Sequence, residues 1–519
     1  MYQFGYFLVR NASCYPNRDA LIFKDCKLTY RELNLASNRL ANSFLSLGLA
    51  KGDRVAYLYR NSVEWILIWY ATQKIGVTAV PLNIQLLTPE LASIVNAAEC
   101  KMLLYNEEFA EKVQPMPELC SSLSIIVCQG NDIPEGQYNW DDLYHHSNAD
   151  EAQVPLSGKD ESIILFTSGT TGVSKGVLRT QQMVRDHALM LAIENNNSHV
   201  PEILLTHCPL FHAGGLLCLL KMAALCGTLI LVDKVEPKFI MEMIERHRAT
   251  QILMIPPILF QRFTRCENWP QYDLSSVREA LCTGGKNSLA YAMTMFELFP
   301  NCRIRPSWGS TEICSATGAQ LSKSQVLNNP NLVNSVGKLN SMVEIRLIDD
   351  KKQDVPDGTV GEAIVRSSMV FRGYLNQPEA AGQSPRDGWF HTEDLLKRDA
   401  DGYYYLVDRM KDVVKTGGET VYAQEVEAVL QRHPAILDCA IVGIPDERFG
   451  EAVAAAIVLA PGQQVTAAEI LTFSKQHLPS YKKPRYWAMM DQLPVNSIGK
   501  LQKSVLRENA DQLFQKIAK

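Results

Sequence analysis

The sequence predicts an α/β protein with a large N-terminal domain of parallel sheets and a smaller α+β C-terminal domain. Short apolar runs alternate with helical patterns from about residue 30 to 330. This alternation is typical of a parallel sheet wrapped by helices. One helix candidate, Phe239–Arg248, has apolar residues at helical spacing. The strand candidates are Arg54–Leu58, Met102–Tyr105, Ser124–Val127, Thr228–Val232 and Gln251–Ile255.

After about residue 335 the pattern changes to short alternating strands. Val343–Ile348, Glu362–Arg366 and Tyr403–Val407 are separated by turns such as Pro356-Asp357-Gly358. Alternation of this kind favours a small antiparallel sheet or a β-barrel-like subdomain.

The last segment, 410–519, has elements of its own. Glu425–Arg432 and Ala467–Gln476 are helix candidates, and Cys439–Ile444 and Ala452–Leu459 are strand candidates. About 110 residues are enough for a separate small domain. We therefore predict a domain over 1–409 and a second over 410–519.

Composition limits the classes of function. The 519 residues are too many for one core, and 51 basic against 56 acidic residues give a net charge of −5. This balance excludes a broad basic field for nucleic acid. Thirteen cysteines without C-x-x-C pairs favour free thiols in a reducing compartment over a zinc site.

The chain shows no signal peptide at its N-terminus. Its longest apolar stretch, Ala213–Leu231, contains Lys221 and three glycines, so we expect a buried helix–strand unit rather than a transmembrane helix. We predict a cytoplasmic protein without a transmembrane segment. Peripheral membrane contact stays open, as does the choice between monomer and homodimer.

The most informative stretch, Phe166–Val177, reads F-T-S-G-T-T-G-V-S-K-G-V. An apolar run precedes it and a helix-compatible stretch follows. Glycines let backbone N–H groups approach phosphate oxygens, hydroxyls add donors, and Lys175 adds charge. Ser174 stands where a P-loop needs its second glycine, so the loop is not a standard P-loop. A flexible linker would need neither the apolar strand nor the lysine.

Four further clusters follow in order. They are W-G-S-T-E at 308–312, D-G-W-F-H-T-E-D-L at 387–395, D-R-M-K-D leading into V-V-K-T-G-G-E at 408–419, and S-I-G-K-L at 497–501. Together with the phosphate loop they resemble the superfamily of AMP-forming, adenylate-forming enzymes. That superfamily includes acyl-CoA synthetases, peptide-synthetase adenylation domains and beetle luciferases. The likeness covers about residues 20 to 510.

The resemblance implies that ATP activates a carboxylate as acyl-AMP, with release of pyrophosphate, and that a thiol then displaces AMP. Lys500 would bridge the carboxylate and the α-phosphate, a task that suits a flexible point charge. Thr311 would donate to the α-phosphate, and Glu312 would hold Mg²⁺. The residues that would clamp the β- and γ-phosphates are Thr167, Ser168, Gly169, Thr170, Thr171 and Lys175.

The same resemblance also implies which residues would bind the adenine and the ribose. Trp308, followed by Gly309, would stack on adenine, although a core aromatic is the alternative for Trp308. Gly284 and Gly285 would cover the other adenine face through their backbone. Asp394 would accept hydrogen bonds from both ribose hydroxyls, and Arg409 would reach the same ribose.

For the thioester step, the resemblance makes Lys411 the hinge of a mobile C-terminal domain. Gly417 and Gly418 would line the tunnel for the arm of coenzyme A. His212 would stand at the mouth of the acyl pocket, with a core histidine as the alternative.

One departure from the family concerns Glu393, where relatives usually have glycine. Either it is tolerated in ordinary backbone geometry, or it signals altered nucleotide affinity. We expect tolerance, because every neighbouring motif residue is in place. Ala423 replaces a frequent proline, and Asn287-Ser288 follow Lys286 without the usual proline.

The predicted function is an acyl-CoA synthetase for a fatty or other apolar acid. No aspartate follows His212 to anchor an α-amino group, which disfavours amino-acid activation. Lys221 interrupts the apolar helix, and we expect it to snorkel to the surface; pairing with a second substrate carboxylate is the alternative. The pocket candidates are mainly apolar: Phe211, Leu216, Ile255, Cys282, Ile313 and Ala316.

Alternatives stay open at this point. The acid could be carnitine-like, dicarboxylic or cinnamate-like, and the acceptor could be a carrier protein rather than coenzyme A. A phosphotransferase would yield ADP instead of AMP. A non-catalytic nucleotide-binding relative would show no carboxylate-dependent exchange of pyrophosphate into ATP.

Overall fold

The structure is a computed structural model, and it describes residues 3–145, 148–167, 175–195, 201–254, 263, 266, 269–283, 287–376, 388–495 and 501–516. The chain divides into two compact units, one from Met1–Ile345 with Val365–Phe390, the other from Arg346–Ile364 with His391–Lys519. The domain boundary predicted after Arg409 refers to a rotation hinge and stays a prediction.

Strands and helices alternate through most of the chain up to Arg409. The helices are α1 (Gly5–Cys14), α2 (Tyr30–Ser46), α3 (Val63–Ile75), α4 (Thr88–Ala97), α5 (Ala110–Val113), α6 (Met116–Leu119), α7 (Trp140–His145), α8 (Gln181–Ile193), α9 (Ala213–Leu225), α10 (Pro237–His247), α11 (Leu289–Leu298) and α12 (Lys323–Asn328). The strands are β1 (Asp19–Phe23), β2 (Cys26–Thr29), β3 (Arg54–Leu58), β4 (Thr78–Pro81), β5 (Met102–Asn106), β6 (Ile125–Gln129), β7 (Tyr138–Asn139), β8 (Glu161–Thr167), β9 (Lys175–Thr180), β10 (Ile203–Thr206), β11 (Thr228–Leu231), β12 (Gln251–Met254), β13 (Glu279–Cys282), β14 (Arg303–Ser310), β15 (Cys314–Gly318), β16 (Lys338–Leu339), β17 (Val343–Ile348), β18 (Gly361–Ser367), β19 (Gly373–Tyr374), β20 (Phe390–Arg398) and β21 (Tyr404–Arg409). Short 3-10 helices span Glu107–Phe109, Trp269–Gln271 and Pro330–Asn334.

Two large sheets form the N-terminal part. Their described strands run in the orders β16-β15-β14-β13-β12-β10-β11-β1-β2 and β19-β9-β8-β4-β3-β5-β6-β7. The central pairs are parallel, whereas β14–β15, β15–β16, β8–β9 and β9–β19 are antiparallel. The predicted α/β class is therefore confirmed. Parallel order ends at β8–β9 in one sheet and at β14–β15 in the other.

Local sequence signals explain how individual helices start and stop. Helix α2 begins after Thr29, whose hydroxyl accepts from the backbone N–H of Glu32 while the Glu32 carboxylate accepts from the N–H of Thr29. Helix α3 begins after Ser62 and ends at Gly76, which has a φ of 71°. That left-handed conformation favours glycine at a helix C-terminus. Helix α9 and β11 form the buried helix–strand unit that the apolar stretch from Ala213 predicted. In the described part of the chain, no helix is long and apolar enough to cross a bilayer.

The segment after the phosphate loop is a strand, so the helix-compatible interpretation was wrong for it. Lys175–Thr180 forms β9, which pairs antiparallel with β8, and helix α8 starts only after Thr180. Val177 and Leu178 have the branched apolar side chains that fit a buried strand. The glycine-rich loop is therefore followed by a strand and not by a helix.

The alternating strands after residue 335 form a four-stranded sheet in the order β17-β18-β20-β21. Strands β20 and β21 are antiparallel. The sheet alternative of the prediction is thereby confirmed, and the described strands do not close into a barrel. Ladder bonds join each strand to its neighbours, with β17 and β21 at the two edges.

The remaining residues fold around a third large sheet. Its strands are β22 (Val414–Thr416), β23 (Glu419–Val421), β24 (Ile436–Asp446), β25 (Gly450–Leu459), β26 (Tyr486–Met489) and β27 (Gln515–Lys516). The helices are α13 (Ala423–Leu430), α14 (Ala467–His477), α15 (Lys503–Glu508) and α16 (Ala510–Leu513), with 3-10 turns at Met410–Asp412 and Ser480–Lys482. The central strand β25 is rich in alanine and pairs with β22, β24 and β26. This mixture matches the predicted α+β class.

Candidate active site

The phosphate-loop hairpin holds its two ends in register. Thr167 and Lys175 are directly paired, and the Thr167 hydroxyl donates to the Lys175 carbonyl oxygen at 3.4 Å. A Cβ on Gly176 would lie 3.0 to 3.1 Å from side-chain atoms of Ile164, Leu375 and Phe166. Glycine is therefore the residue that fits beside the lysine. Ser168, Gly169, Thr170 and Thr171 lie outside the described residues.

A second hairpin, β14–β15, presents Thr311 and Glu312 in its turn. A Cβ on Gly309 would lie only 1.7 Å from the carbonyl oxygen of Cys314, so this hairpin requires glycine there. Cys314 itself has a φ of 60°, in the left-handed region, which closes the tight turn. The Glu312 N–H donates to the Ser310 hydroxyl at 3.2 Å. Backbone geometry thus fixes where the two predicted catalytic residues stand.

Tyr374 connects the two hairpins, and the sequence analysis did not identify it. Its hydroxyl donates to Glu312 Oε1 at 3.0 Å, and Lys175 Nζ lies 5.1 Å from the centre of its ring. Tyr374 belongs to β19 and pairs with Val177 in the adjacent strand β9. The backbone N–H of Phe371 also donates to the Glu312 carbonyl at 2.8 Å. The predicted phosphate lysine and the predicted metal ligand therefore both contact one tyrosine, the lysine beside its ring and the glutamate at its hydroxyl.

The local donor set fits Mg²⁺ that arrives bound to phosphates. Mg²⁺ is usually held by one or two carboxylates together with waters and phosphate oxygens. Glu312 supplies such a carboxylate, half-buried and oriented by Tyr374. Among the residues that the structure describes, no group of three or more His, Cys, Asp or Glu could hold a metal on its own. Glu312 would hold the ion jointly with the nucleotide.

Trp308 lies two residues before the turn and is buried, with 5% of its surface exposed. Its backbone N–H donates to the Thr317 hydroxyl at 3.3 Å across the hairpin. Stacking on adenine stays a prediction for it. Strand β13 ends at Cys282, but Gly284 and Gly285, the predicted cover of the other adenine face, lie outside the described residues.

The two predicted ribose contacts lie together in the second unit. Asp394 and Arg409 are directly paired across β20–β21, with Arg409 Nε 3.4 Å from Asp394 Oδ1. Asp394 is buried, and its backbone N–H donates to the Thr392 hydroxyl at 3.1 Å. A buried carboxylate oriented in this way can accept from two neighbouring hydroxyls.

Glu393 corrects one expectation. Its φ is 58°, so it does not stand in ordinary backbone geometry. A non-glycine residue in the left-handed region carries a cost of about 1–2 kcal/mol. The glycine that relatives usually have would remove that cost. The chain therefore keeps the unusual conformation without the residue best suited to it.

The predicted hinge and thioester-step residues follow β21. Burial, with the nearby Arg409 charge, lowers the pKa of Lys411. Gly417 and Gly418 form the turn between β22 and β23 with φ values of 59° and 85°, which favour glycine. The Gly417 N–H donates to the Phe449 carbonyl at 2.9 Å. Lys500, the predicted adenylation lysine, lies outside the described residues.

His212 immediately precedes helix α9 and packs against Phe211, with ring centres 4.6 Å apart. Burial lowers the pKa of His212 to about 4, so the imidazole is neutral near pH 7. The described pocket candidates are all buried: Phe211, Leu216, Cys282, Ile313 and Ala316. Ile255 lies outside the described residues.

Lys221 does not snorkel to the surface, so that expectation was wrong. It is 1% exposed, and its Nζ lies 2.8 Å from Glu279 Oε1 and 2.6 Å from Gln251 Oε1. Glu279 also accepts from Gln320 at 2.6 Å. Gln251 and Glu279 are the first residues of parallel strands β12 and β13. Lys221 therefore lies at the amino ends of these strands, whereas Glu312 follows the carboxyl end of neighbouring β14.

Comparison with known families supports the same interpretation. The family model described as AMP-binding enzyme matches residues 8–375, and that of the AMP-binding enzyme C-terminal domain matches residues 425–500. The chain belongs to the AMP-binding enzyme family. The predicted superfamily is confirmed, as is the enzyme class of an AMP-forming acid–CoA ligase. This class forms AMP, which sets the phosphotransferase alternative aside.

Relatives differ in the acids that they are named for. A feruloyl-CoA synthase from Amycolatopsis sp is 31% identical over 97% of this chain and 98% of its own length. The long-chain-fatty-acid–CoA ligase FadD13 of Mycobacterium tuberculosis (strain CDC 1551 / Oshkosh) is also 31% identical, over 98% of both chains. The crystal structure of the anthranilate CoA ligase AuaEII in complex with anthranoyl-AMP matches with a TM-score of 0.88 at 25% sequence identity. The match covers 98% of this chain and 97% of the ligase chain.

Proposed function

We propose that the protein activates a fatty or other apolar carboxylic acid as acyl-AMP and transfers the acyl group to coenzyme A. The observation that carries this choice is the apolar character of the described pocket candidates. Phe211, Leu216, Cys282, Ile313 and Ala316 offer no charged partner for a substrate. Lys221, the cation that motivated a polar substrate, is paired inside the protein with Glu279.

In the first half-reaction, a carboxylate oxygen attacks the α-phosphorus, and the bond to the leaving pyrophosphate breaks. Lys175, Thr167 and the loop hydroxyls would hold that leaving group through charge and hydrogen bonds. Thr311 and Lys500 would neutralise the α-phosphate. Mg²⁺ held at Glu312 would supply further positive charge for the phosphates.

The neutral imidazole of His212 suits the mouth of the acyl pocket. It can donate or accept a hydrogen bond without adding a charge beside the apolar acid. In the second half-reaction, rotation about Lys411 would bring the Gly417–Gly418 turn toward the acyl-AMP. The thiolate sulfur of coenzyme A then attacks the acyl carbon, and AMP leaves with the bonding electron pair. The cytoplasmic location and the oligomeric state stay predictions.

A panel of acids tests this proposal. Fatty acids, a ferulate-like acid, carnitine and a dicarboxylic acid are each incubated with ATP, Mg²⁺ and coenzyme A, and nucleotides are separated by chromatography. The expected result is AMP formation that is fastest with a fatty acid. Fastest turnover of the ferulate-like or charged acids would contradict the apolar aliphatic assignment. Thioester formation only with a carrier protein would contradict the assignment of coenzyme A.

A further inference from the structure

Three carboxylates are buried around the predicted hinge in the second unit. Asp408 is 1% exposed, Glu427 is 6% exposed and Asp412 is 9% exposed. Asp408 belongs to β21, Asp412 ends the 3-10 turn that contains Lys411, and Glu427 belongs to α13. Buried charges are costly unless other charges and donors satisfy them. The groups that satisfy these three therefore reveal which segments are held together.

Helix α15 supplies two of the partners. Lys503 Nζ lies 2.7 Å from Glu427 Oε1, and Arg507 Nη2 lies 2.6 Å from Asp412 Oδ1. Lys503 and Arg507 are four residues apart and therefore share one face of the helix. Burial raises the pKa of Asp408, and the charge of Lys503 opposes that rise. Both cations of α15 thus point toward the carboxylates of the hinge region.

The same helix follows directly on the segment of the predicted adenylation lysine. Leu501 forms a β-bridge with Val495, and the Gln502 N–H donates to the Pro494 carbonyl at 2.8 Å. These described contacts fix the backbone on both flanks of the segment that contains Lys500. The ion pairs at Lys503 and Arg507 begin three residues after Lys500.

We propose that Lys503 and Arg507 are positioning residues for the adenylation step, because their ion pairs tie the segment after Lys500 to the segment after Lys411. This inference rests on the proposed function, in which Lys500 acts at the α-phosphate. The Asp412–Arg507 pair joins the residue after the hinge to helix α15. A rotation about Lys411 would then carry helix α15, which follows the lysine segment in sequence.

A purely structural role makes a different prediction. If the two ion pairs only stabilised the small domain, their loss would impair both half-reactions equally. A positioning role impairs the half-reaction that uses Lys500 and spares the one that does not. A small misplacement of a catalytic group costs up to about 100-fold in rate.

The experiment compares Lys503→Met and Arg507→Met with the conservative variants Lys503→Arg and Arg507→Lys. Lys482→Met is the matched control, because Lys482 pairs with Glu425 on the same helix α13 at 2.6 Å but contacts neither the hinge carboxylates nor α15. Adenylation is measured as acid-dependent exchange of pyrophosphate into ATP. Thioester formation is measured with synthetic acyl-AMP and coenzyme A.

We expect the methionine variants to lose about 10- to 100-fold in pyrophosphate exchange. They should keep most of the thioester rate, and the conservative variants should recover exchange. Equal losses in both half-reactions would overturn the proposal, as would the same selective loss in Lys482→Met.

Amide hydrogen exchange on the ligand-free protein provides a readout that needs no activity. The amides of residues 501–509, including Gln502, should exchange faster in Lys503→Met and Arg507→Met than in the wild type or Lys482→Met. Unchanged protection would overturn the inferred connection even in an active enzyme. If the wild type shows no acid-dependent exchange of pyrophosphate, the proposed function fails, while the amide data still decide whether α15 is tied to the hinge.

Discussion

Two charged regions of the N-terminal part differ in how their charges are satisfied. At the amino ends of β12 and β13, Lys221 and Glu279 are almost fully buried and paired at 2.8 Å. Beyond the carboxyl end of neighbouring β14, half-buried Glu312 accepts a hydrogen bond from the Tyr374 hydroxyl. Half-buried Lys175, the first residue of β9 in the other large sheet, lies beside the ring of the same tyrosine. The charges at the amino ends are paired within the protein, whereas Glu312 and Lys175 are the residues predicted to bind Mg²⁺ and the leaving phosphates. Ligands of open α/β sheets bind outside the carboxyl ends of the strands.

The largest effect is expected at the amino ends. Lys221→Met leaves Glu279 buried without its main partner, so the free energy of unfolding should fall by about 3–5 kcal/mol. Urea denaturation of the purified variant measures this. Lys24→Met is the control, since Lys24 pairs with Asp233 at the surface and its loss should cost about 0–1 kcal/mol.

A double variant, Lys221→Met with Glu279→Gln, should recover part of the loss because no unpaired carboxylate remains. The protein that stays folded should keep the same preference among carboxylic acid substrates in all of these variants. A changed acid profile in Lys221→Met would place this lysine at the substrate after all, and would break the comparison.

At the carboxyl ends the expected effect is on rate. Glu312→Gln removes the charge that would hold Mg²⁺, and pyrophosphate exchange should fall by about 100- to 1000-fold, comparable to the loss of one transition-state donor. The melting temperature should stay close to that of the wild type, because Glu312 is half-buried and is not part of a buried ion pair.

Tyr374→Phe sharpens the same test. It keeps the ring beside Lys175 but removes the donor to Glu312, so exchange should fall by about tenfold. Exchange that is unaffected in both variants would show that this tyrosine–glutamate pair does not belong to the nucleotide site.

A smaller effect is expected at Glu393. Replacement by glycine relieves a left-handed backbone, so the free energy of unfolding should rise by about 1 kcal/mol. Lys352→Gly is the matched control, because Lys352 has a φ of 62° in an exposed turn. Both variants should gain similar stability, and neither should change the affinity for AMP measured by calorimetry. A change in AMP affinity confined to Glu393→Gly would support the alternative of altered nucleotide binding.

The last prediction concerns His212 and the pH dependence of stability. Its folded-state pKa of about 4 lies below the usual value of about 6.5, so the unfolded chain binds more protons between these values. Stability from this group is therefore present above pH 6.5 and declines as pH falls toward 4. His212→Gln should lose less stability between pH 7 and pH 5 than the wild type. A rate step near pH 6.5 that disappears in this variant would show that His212 titrates normally.

The sequence predicted correctly those helices and strands that the spacing of apolar residues alone determines. The strand expected at Arg54–Leu58 has those same bounds, and the helix expected at Phe239–Arg248 overlaps α10. The strand after the phosphate loop was missed, because Lys175–Thr180 is short and a helix starts directly after it.

Family likeness assigned Asp394 and Arg409, from two separate motifs, to the same ribose, and the structure pairs them across two strands. Their contact with the ribose stays a prediction. The burial of Lys221 was not predictable, because Glu279 and Gln251 lie 58 and 30 residues away in sequence. Tyr374 is 62 residues from Glu312, so no local pattern joins them. The sequence signal available for Tyr374 was the Gly373-Tyr374 pair that follows Phe371-Arg372.

Gly309 has a consequence for protein engineering. Because a Cβ there would overlap the carbonyl oxygen of Cys314, a saturation library at position 309 should return one functional residue type. Neighbouring Ser310 and Thr311 already carry a Cβ, so substitution there does not create this overlap. Libraries meant to alter the nucleotide site should therefore hold position 309 constant and vary the turn beyond it.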